Sequence, residues 1–406
     1  MAKLKFHQSW ENIFDKYKLL NDIRRNGYVD ITADAIKAVE GKEPRNLTKV
    51  DFREKLPNIM KEEGLSILAI KNGLYRIAPN DPFIDIEENT STEIIELEAP
   101  QNIISIDPFN IKSESAALDI AAVSDMHRIV FGEESQLTIR GRLRGSLEFN
   151  IGQTPYNIEG VQIEVDGGYE ANNAIHLIEA KIGYSNNINI RQLLYPQLFW
   201  ENQINGRKSI KSYVFYLQGD IFRFIPYYYD GVIGYAEHSE EKAFRFREPT
   251  TDFSIYSVEV NHNNIDTSVP FPQADRFETI NTMLLLISEH TCLSKEDLGS
   301  NFDIVDRQID YYFNVLKWLK VCKEEEECLV LTQKGQNIVS LPFRQRIEAL
   351  AEIVFSDPIS NAVLHRRAIN PNYFHVYNVH SESTINRRLG TIRSWVKYFK
   401  NILEEE

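Results

Sequence analysis

Two acidic residues and one lysine stand at strand-like positions near the middle of the chain. Asp166 ends an alternating apolar run, and Glu179 and Lys181 follow directly on the apolar run 175–178. Side chains two residues apart in a strand lie on the same face, so Glu179 and Lys181 share one side while Ala180 points into the fold. If the strand that carries Asp166 pairs with the next strand, the two carboxylates can hold one Mg²⁺ ion.

This set suits the hydrolysis of a phosphodiester. Mg²⁺ offsets negative charge on the phosphate, and Lys181 can orient the attacking water or stabilise the transition state. Glu-x-Lys alone is a weak pattern, and it recurs at residues 40–42 and 240–242. Neither of those copies follows an apolar strand. The alternative for Glu179 and Lys181 is an exposed cross-strand salt bridge.

Helices and strands that could position these residues are predicted on both sides of them. The predicted elements are a helix over 113–130, strands over 137–144, 161–165 and 175–178, a helix over 189–202 and a strand or hairpin over 212–229. Ser113 suits an N-cap and Gly132 a helix end. This order describes an α/β core with a mixed sheet flanked by helices.

Further modules are predicted before and after this core. Prolines and acidic residues in the segment 79–112 are typical of a joint between domains. After the core, Ser294 as an N-cap, a third helix over 306–318 and a hairpin over 321–331 give the order of a winged helix. The predicted domains are an N-terminal α+β module with a possible DNA contact (1–100), the nuclease core (101–270), a winged-helix-like module (271–340) and a C-terminal helical module (341–406).

Composition sets the class of protein. With 406 residues, of which 43% are hydrophobic and 26% charged, the chain exceeds one ordinary domain core. No run approaches the roughly 18 to 20 apolar residues of a membrane span, and nothing in the first ten residues marks secretion, so we expect a cytoplasmic protein with no membrane partner. Cys292, Cys322 and Cys328 form no Cys-x-x-Cys pair, which predicts free thiols and no structural zinc.

The formal net charge of −14 argues against a nucleic-acid partner, but a nuclease can confine its basic residues to one groove. Arg140, Arg142 and Arg144 recur at a spacing of two and therefore line one face of a strand. They can neutralise DNA phosphates beside the predicted site. A solvated edge strand would show the same pattern.

The end of the chain carries a second basic cluster. The segment 381–403 has five basic residues and one acidic residue, and Arg387, Arg388 and Arg393 are among the basic ones. It is either a helix that reads a DNA groove or a basic helix that packs through its aromatic residues.

Asp166, Glu179-Ala180-Lys181 and the order of helices and strands resemble the PD-(D/E)XK nuclease superfamily over roughly residues 113–230. Four short strings, at 43–49, 56–57, 162–170 and 191–196, resemble predicted bacterial type II restriction enzymes. The resemblance implies a restriction-endonuclease-like fold, Mg²⁺ as cofactor, double-stranded DNA as substrate and a cognate DNA methyltransferase in the same system.

The chain departs from the superfamily pattern at the first acidic residue. Val165 stands where the superfamily has proline, so Asp166 is assigned by its position. Glu164 lies on the same strand face and could be the ligand instead, and Glu170 is a further alternative.

The resemblance also adds residues around the predicted site. It implies Glu114 as an acidic residue on the helix before the sheet, and Arg191 and Gln192 as helix residues that touch the metal site or DNA. The predicted metal ligands are Asp166, Glu179 and Ala180.

The sequence thus predicts a Mg²⁺-dependent, sequence-specific DNA endonuclease of the type II restriction class. No Gly-rich Lys-Ser/Thr loop suggests a nucleotide cofactor. Because one chain carries one catalytic set and both strands must be cut, we expect a homodimer on DNA. The alternatives are a repair or junction nuclease on the same core, and a non-catalytic winged-helix regulator.

Overall fold

One large mixed sheet organises the first two thirds of the chain. The structure is a computed structural model, and it describes residues 2–41, 44–87, 91–183, 185–248, 251–262, 267–290, 292–295, 297–298, 302, 304, 306–370 and 372–404. Strand β7 (Thr154–Ala171) is central, because its partners belong both to the N-terminal module and to the core. The two modules therefore share one sheet.

The N-terminal module packs short helices around a small antiparallel sheet. Its elements are α1 (Ala2–Tyr17), α2 (Leu19–Asn26), β1 (Val29–Thr32), α3 (Ala33–Glu40), α4 (Arg45–Thr48), α5 (Asn58–Glu62), β2 (Ser66–Lys71) and β3 (Leu74–Ala78). Trp10 and Ile13 are fully buried in its apolar core. Strand β2 runs parallel to β7, with Lys71 opposite Glu159.

The core continues the sheet from β7. Its elements are β4 (Phe83–Asp85), β5 (Ile94–Leu97), α6 (Glu114–Val123), α7 (Met126–Phe131), β6 (Ser135–Ile151), β7, β8 (Ala174–Ile182), β9 (Asn187–Asn189), α8 (Leu194–Ile204), β10 (Ser209–Gln218), β11 (Ile221–Tyr228), β12 (Tyr235–Ala236) and β13 (Lys242–Phe246). Strand β8 is antiparallel to β7 and parallel to β10, and β10 and β11 form an antiparallel hairpin. The predicted strands, the hairpin and the mixed sheet flanked by helices are confirmed.

The helix predicted over residues 113–130 is in fact two helices. Ser113 caps the first one, since its Oγ accepts a hydrogen bond from the Ala116 amide at 3.3 Å. Asp125 then takes a left-handed backbone conformation (φ 64°), which separates α6 from α7. The apolar period crosses this joint without a break, so the pattern did not reveal it.

Apolar clusters lie on both faces of the core sheet. One face packs on α6 and α7, where Leu118 contacts the cluster that contains Ile178 and Ala180. The other face packs on α8 through a cluster that contains Leu194 and Val214. Strand β8 is therefore enclosed on both sides.

The C-terminal region packs its helices around one further apolar cluster. Its elements are α9 (Phe277–Glu289), β14 (Leu293–Ser294), α10 (Asp306–Trp318), β15 (Cys322–Glu325), β16 (Cys328–Leu331), α11 (Gln333–Val339), α12 (Phe343–Phe355), α13 (Pro358–Leu364), α14 (Asn372–His375) and α15 (Glu382–Leu403). The helix predicted over 306–318 and the hairpin predicted over 321–331 are present as α10 and β15–β16, with strands in the order β14-β16-β15, whereas the helix predicted after Ser294 lies largely outside the described residues. Ser294 acts as the predicted cap, since its Oγ accepts from the Asp297 amide at 3.1 Å. No helix among the described residues is both long and apolar enough to cross a bilayer.

The prediction of three free thiols is wrong for two of them. Cys292 and Cys328 form a disulfide that joins the segment before β14 to the first residue of β16. They are 36 residues apart in the sequence, and no short spacing motif connects them. Cys322 is free and buried, as predicted.

Candidate functional site

The candidate site lies where the pairing between strands β7 and β8 ends. Their antiparallel register runs to the pair Gly167 and Ile178. Beyond that pair the Asp166 carboxylate, and not its backbone, meets β8, because the Ala180 amide donates a hydrogen bond of 2.9 Å to Asp166 Oδ2. This contact fixes the Asp166 side chain beside Glu179.

Glu179 and Lys181 share a strand face, as the period predicts. Lys181 Nζ donates to Glu179 Oε1 at 2.5 Å and to the Ala180 carbonyl at 2.9 Å. The Glu179 side chain is 6% exposed and that of Lys181 is 20% exposed. The pair is thus largely buried, unlike the exposed salt bridge that was the alternative.

The electrostatics of this pair are those of a crowded, partly dehydrated site. Burial raises the pKa of the Glu179 carboxyl, and the opposing effect of Lys181 does not cancel it. Burial also acts to lower the pKa of Lys181, but Glu179, Glu114 and Asp166 outweigh it and hold that pKa above the ordinary range. The neighbouring carboxylates therefore favour the cationic form of Lys181.

Glu114, on helix α6, belongs to the same cluster. It occupies the first turn of α6, and its Oε1 lies 3.9 Å from Lys181 Nζ. The helix N-terminus favours a carboxylate at this position. The structure thus brings together three carboxylates and one ammonium group from two strands and one helix.

The turn before α8 supplies a further contact. Gln192 Nε2 donates a short hydrogen bond to Glu179 Oε1, while Gln192 Oε1 is buried without a hydrogen-bond partner. Arg191 points elsewhere and pairs with Asp51 of the N-terminal module. Of these two predicted residues, Gln192 reaches the site and Arg191 anchors the module beside it.

The two alternative acidic residues have other partners. Glu164 forms an ion pair of 3.1 Å with Arg142, although it also borders the small cavity beside Glu179. Glu170 pairs with Lys208 at 2.6 Å. Asp166 is the residue of the three that contacts β8 next to Glu179.

The donor set fits a hard cation in its chemistry. Within the described ranges, no three His, Cys, Asp or Glu side chains are already arranged as a metal site, and Lys181 supplies the positive charge near the carboxylates. Carboxylate, carbonyl and amide oxygens are the ligands that Mg²⁺ prefers, and an orphaned buried oxygen on Gln192 lies beside them. Asp166, Glu179 and the backbone of Ala180 are the groups that would hold the ion.

Arg140, Arg142 and Arg144 lie on the exposed face of β6, as their spacing of two residues predicts. Two of them have acidic partners: Arg140 pairs with Asp119 at 2.6 Å and Arg142 with Glu164. Arg140 Nε also donates to the Asp166 carbonyl at 3.1 Å, so this arginine touches the residue that forms the site. Arg144 is exposed and has no acidic partner among the described residues.

The basic residues of the last helix separate into exposed and buried ones. Arg387 and Arg393 are exposed on α15, whereas Arg388 is only 8% exposed and cannot reach a base edge. Neither Nε nor Nη1 of Arg388 has a hydrogen-bond partner. The burial has a signal in the sequence, because Arg388 precedes the buried Ile392 and Trp395 at helical spacing.

Two acidic residues near the site were not predicted. Asp119 holds Arg140, and Asp51 holds Arg191. Both partners are distant in sequence, at separations of 21 and 140 residues, so no local pattern could have paired them.

Three sequence families match consecutive parts of the chain, and each is described as a domain of unknown function. They are DUF6996 over residues 7–77, DUF6997 over residues 78–247 and DUF7226 over residues 279–404. The candidate site lies within the second segment. No curated protein and no solved structure matches the chain.

Proposed function

We propose that the chain is a Mg²⁺-dependent endonuclease that cuts double-stranded DNA at a specific sequence, on a restriction-endonuclease-like core. The observation that carries the proposal is the cluster of Asp166, Glu179 and Lys181 at the divergence of β7 and β8. A merely structural ion pair has no need of a second carboxylate fixed by the neighbouring strand.

Each residue has a distinct part in the proposed reaction. When bound, Mg²⁺ supplies charge neutralisation at the phosphodiester. Asp166 and Glu179 hold their oxygens close together because the Ala180 amide and Lys181 fix them. Lys181 uses two of its donors on Glu179 and Ala180, which leaves the third free to orient a water or to stabilise charge on a phosphate oxygen.

The wider proposal concerns the assembly and its setting. One catalytic set per chain favours a homodimer on DNA, with one site on each strand of a symmetric target. A cytoplasmic enzyme of this class needs a cognate DNA methyltransferase to protect the host DNA. We also propose that residues 271–340 form a winged-helix-like module.

The test is cleavage of supercoiled plasmid DNA with Mg²⁺ or with EDTA. Lys181→Met should reduce cleavage by about 100-fold or more, the usual cost of removing one transition-state donor, while DNA binding in EDTA persists. Lys208→Met is the matched control, because Lys208 Nζ donates to Glu170 Oε1 at 2.6 Å and to the Ala171 carbonyl at 2.7 Å. The same pair of contacts thus occurs outside the site, and this control should cleave at nearly the wild-type rate.

Equal losses in the two lysine variants, or full activity of Lys181→Met, would contradict the proposal. Asp166→Asn and Glu179→Gln should lose metal-dependent cleavage, whereas Glu240→Gln, in the second Glu-x-Lys string, should not. Discrete fragments would support restriction. Smeared products would indicate a nonspecific nuclease, and cleavage limited to branched DNA would indicate a junction enzyme.

A further inference from the structure

Helix α15 presents an exposed polar face with no acidic residue between Ser383 and Asn401, and Glu382 and Glu404 flank its two ends. Its described side chains on this face are all exposed and recur at helical spacing: Ser383, Asn386, Arg387, Gly390, Arg393, Ser394, Lys397 and Asn401. We call this set the α15 stripe. At 1.5 Å per residue it is about 27 Å long, a length that suits a helix lying along a DNA groove.

The cations of the α15 stripe are available to a partner. Arg387, Arg393 and Lys397 are exposed and form no ion pair with any described residue, in a chain whose net charge is −14. Arg388 lies beneath them, 8% exposed and without a carboxylate partner. Burial lowers its pKa to about 10, so it stays charged at neutral pH and adds to the positive potential there.

Gly390 stands in the middle of the α15 stripe. A Cβ added to it would meet nothing within 4 Å, so packing within the chain does not require glycine here. Glycine is unfavourable inside a helix. A close approach of the helix surface to a partner is a reason for this residue.

The hairpin β15–β16 has the opposite character. Three lysines on or near it are paired with carboxylates of the same unit: Lys317 with Glu324 at 2.7 Å, Lys323 with Glu325 at 2.5 Å and Lys295 with Asp310 at 2.6 Å. Glu326 and Glu327 at its turn are exposed. This surface repels phosphates.

The described side chains of helix α10 present little charged surface to a partner. It corresponds to the recognition helix of a winged helix, yet Tyr312, Phe313 and Leu316 are buried in the apolar cluster of the C-terminal region. Among its described side chains, Gln308 and Asp310 are exposed, and the partly exposed Lys317 is paired with Glu324. One amide and one carboxylate do not make a phosphate-binding surface.

We propose that the α15 stripe, and not α10 with the hairpin β15–β16, is the surface through which the C-terminal region binds double-stranded DNA. The inference rests on the proposed function and names the part of the chain that meets its substrate. Charge complementarity to phosphates and the absence of carboxylates from the stripe favour DNA over an acidic protein segment as the occupant.

The test measures binding of a fluorescent 30-base-pair duplex of mixed sequence at several salt concentrations. All proteins carry Lys181→Met and are kept in EDTA, so that no cleavage interferes. The stripe variant combines Arg387→Gln, Arg393→Gln and Lys397→Gln. The control variant combines Lys295→Gln, Lys317→Gln and Lys323→Gln, which removes the same charge from the other surface.

The stripe variant should bind at least about tenfold more weakly at 0.1 M salt, and its slope of log affinity against log salt should fall by about two to three. The control should change affinity less than threefold and keep its slope. All six substituted side chains are at least partly exposed, so circular dichroism should show both variants folded. Binding in EDTA does not depend on catalysis, so a wild-type protein that binds the duplex but does not cleave plasmid DNA with Mg²⁺ would refute the proposed function and leave this inference standing.

Two results would overturn the inference. One is an equal or larger loss of DNA affinity in the control variant, which would assign DNA binding to the surface around the hairpin β15–β16. The other is tighter binding to an RNA duplex of the same sequence, which would assign the α15 stripe to a different nucleic acid.

Discussion

Two buried histidines, one on α7 and one on β8, predict a loss of stability in mild acid. His127 on α7 is 3% exposed, and neither of its ring nitrogens has a hydrogen bond. His176 on β8 is fully buried and its ring stacks on Phe131 at 3.9 Å. Burial lowers the pKa of His127 to about 3 and that of His176 to about 4.

The sign and size of the effect follow for His127, whose ring forms no hydrogen bond and whose burial outweighs the opposing charge of Asp119. Its ordinary pKa is 6.5, so the unfolded chain takes up a proton at a pH where the folded chain does not. The neutral ring therefore contributes stability that is full above pH 6.5 and is lost as pH falls toward the folded pKa. At pH 5 the loss amounts to about 2 kcal/mol.

His127→Phe should remove this dependence. Phenylalanine fits the aromatic surroundings, because the ring centroids of His127 and Tyr169 are 4.2 Å apart. It also leaves no unsatisfied nitrogen, so the variant should be at least as stable as wild type at pH 7. Between pH 7 and pH 5 it should gain about 2 kcal/mol relative to wild type. Glu133 lies 3.8 Å from His176 Nε2 and would partly offset a charge there, which makes His127 the sharper choice.

Amide hydrogen exchange of peptides that cover β8 measures this directly. Wild type and variant are compared at the same pH, so intrinsic exchange rates cancel. The ratio of their exchange rates should rise about 30-fold from pH 7 to pH 5, because each 1.36 kcal/mol is a factor of ten. His290→Phe, at an exposed position, is the control and should leave the ratio unchanged. A ratio for His127→Phe that does not depend on pH would refute the reasoning.

Two further predictions concern the C-terminal region. Gly390→Ala should stabilise α15 by about 1 kcal/mol, because alanine is the better helix residue and its Cβ meets nothing within 4 Å. The same substitution should weaken binding to duplex DNA. A higher thermal midpoint with unchanged DNA affinity would mean that no partner approaches Gly390 closely. Reduction of the Cys292–Cys328 disulfide, which closes a span of 36 residues, should destabilise the region by up to about 4 kcal/mol. The thermal midpoint of wild type should then fall with reductant while that of Cys292→Ser stays constant, and equal sensitivity of both proteins would exclude the disulfide as the cause.

The features that the sequence predicted best are those that depend on residue spacing within a single helix or strand. The alternation in β6 and β7, the shared face of Glu179 and Lys181, and the cap at Ser113 all follow from backbone geometry over a few residues. Each was predicted because its cause lies within one element.

Contacts between distant segments were beyond that reasoning. The ion pair of Asp51 with Arg191 and the disulfide of Cys292 with Cys328 join residues that only the fold brings together. The partners of the basic residues on β6 were beyond that reasoning too, since Asp119 and Glu164 pair with two of its three arginines. A basic pattern in one strand shows where positive charge lies but not whether a neighbour offsets it.

The position of the N-terminal module explains how the core and the C-terminal region are held together without a shared apolar core. Asp51 pairs with Arg191 beside the candidate site, and Lys55 donates to the Ile304 carbonyl at 2.7 Å in the C-terminal region. Phe343 at the start of α12 is also tied to the core, through a 2.6 Å hydrogen bond from its amide to the Phe109 carbonyl. These links are polar, and apolar side chains meet at the same boundary, since Phe343 lines a cavity together with Phe109, Leu217 and Phe222. The core and the C-terminal region are therefore joined by polar and apolar contacts together, while each keeps an apolar cluster of its own.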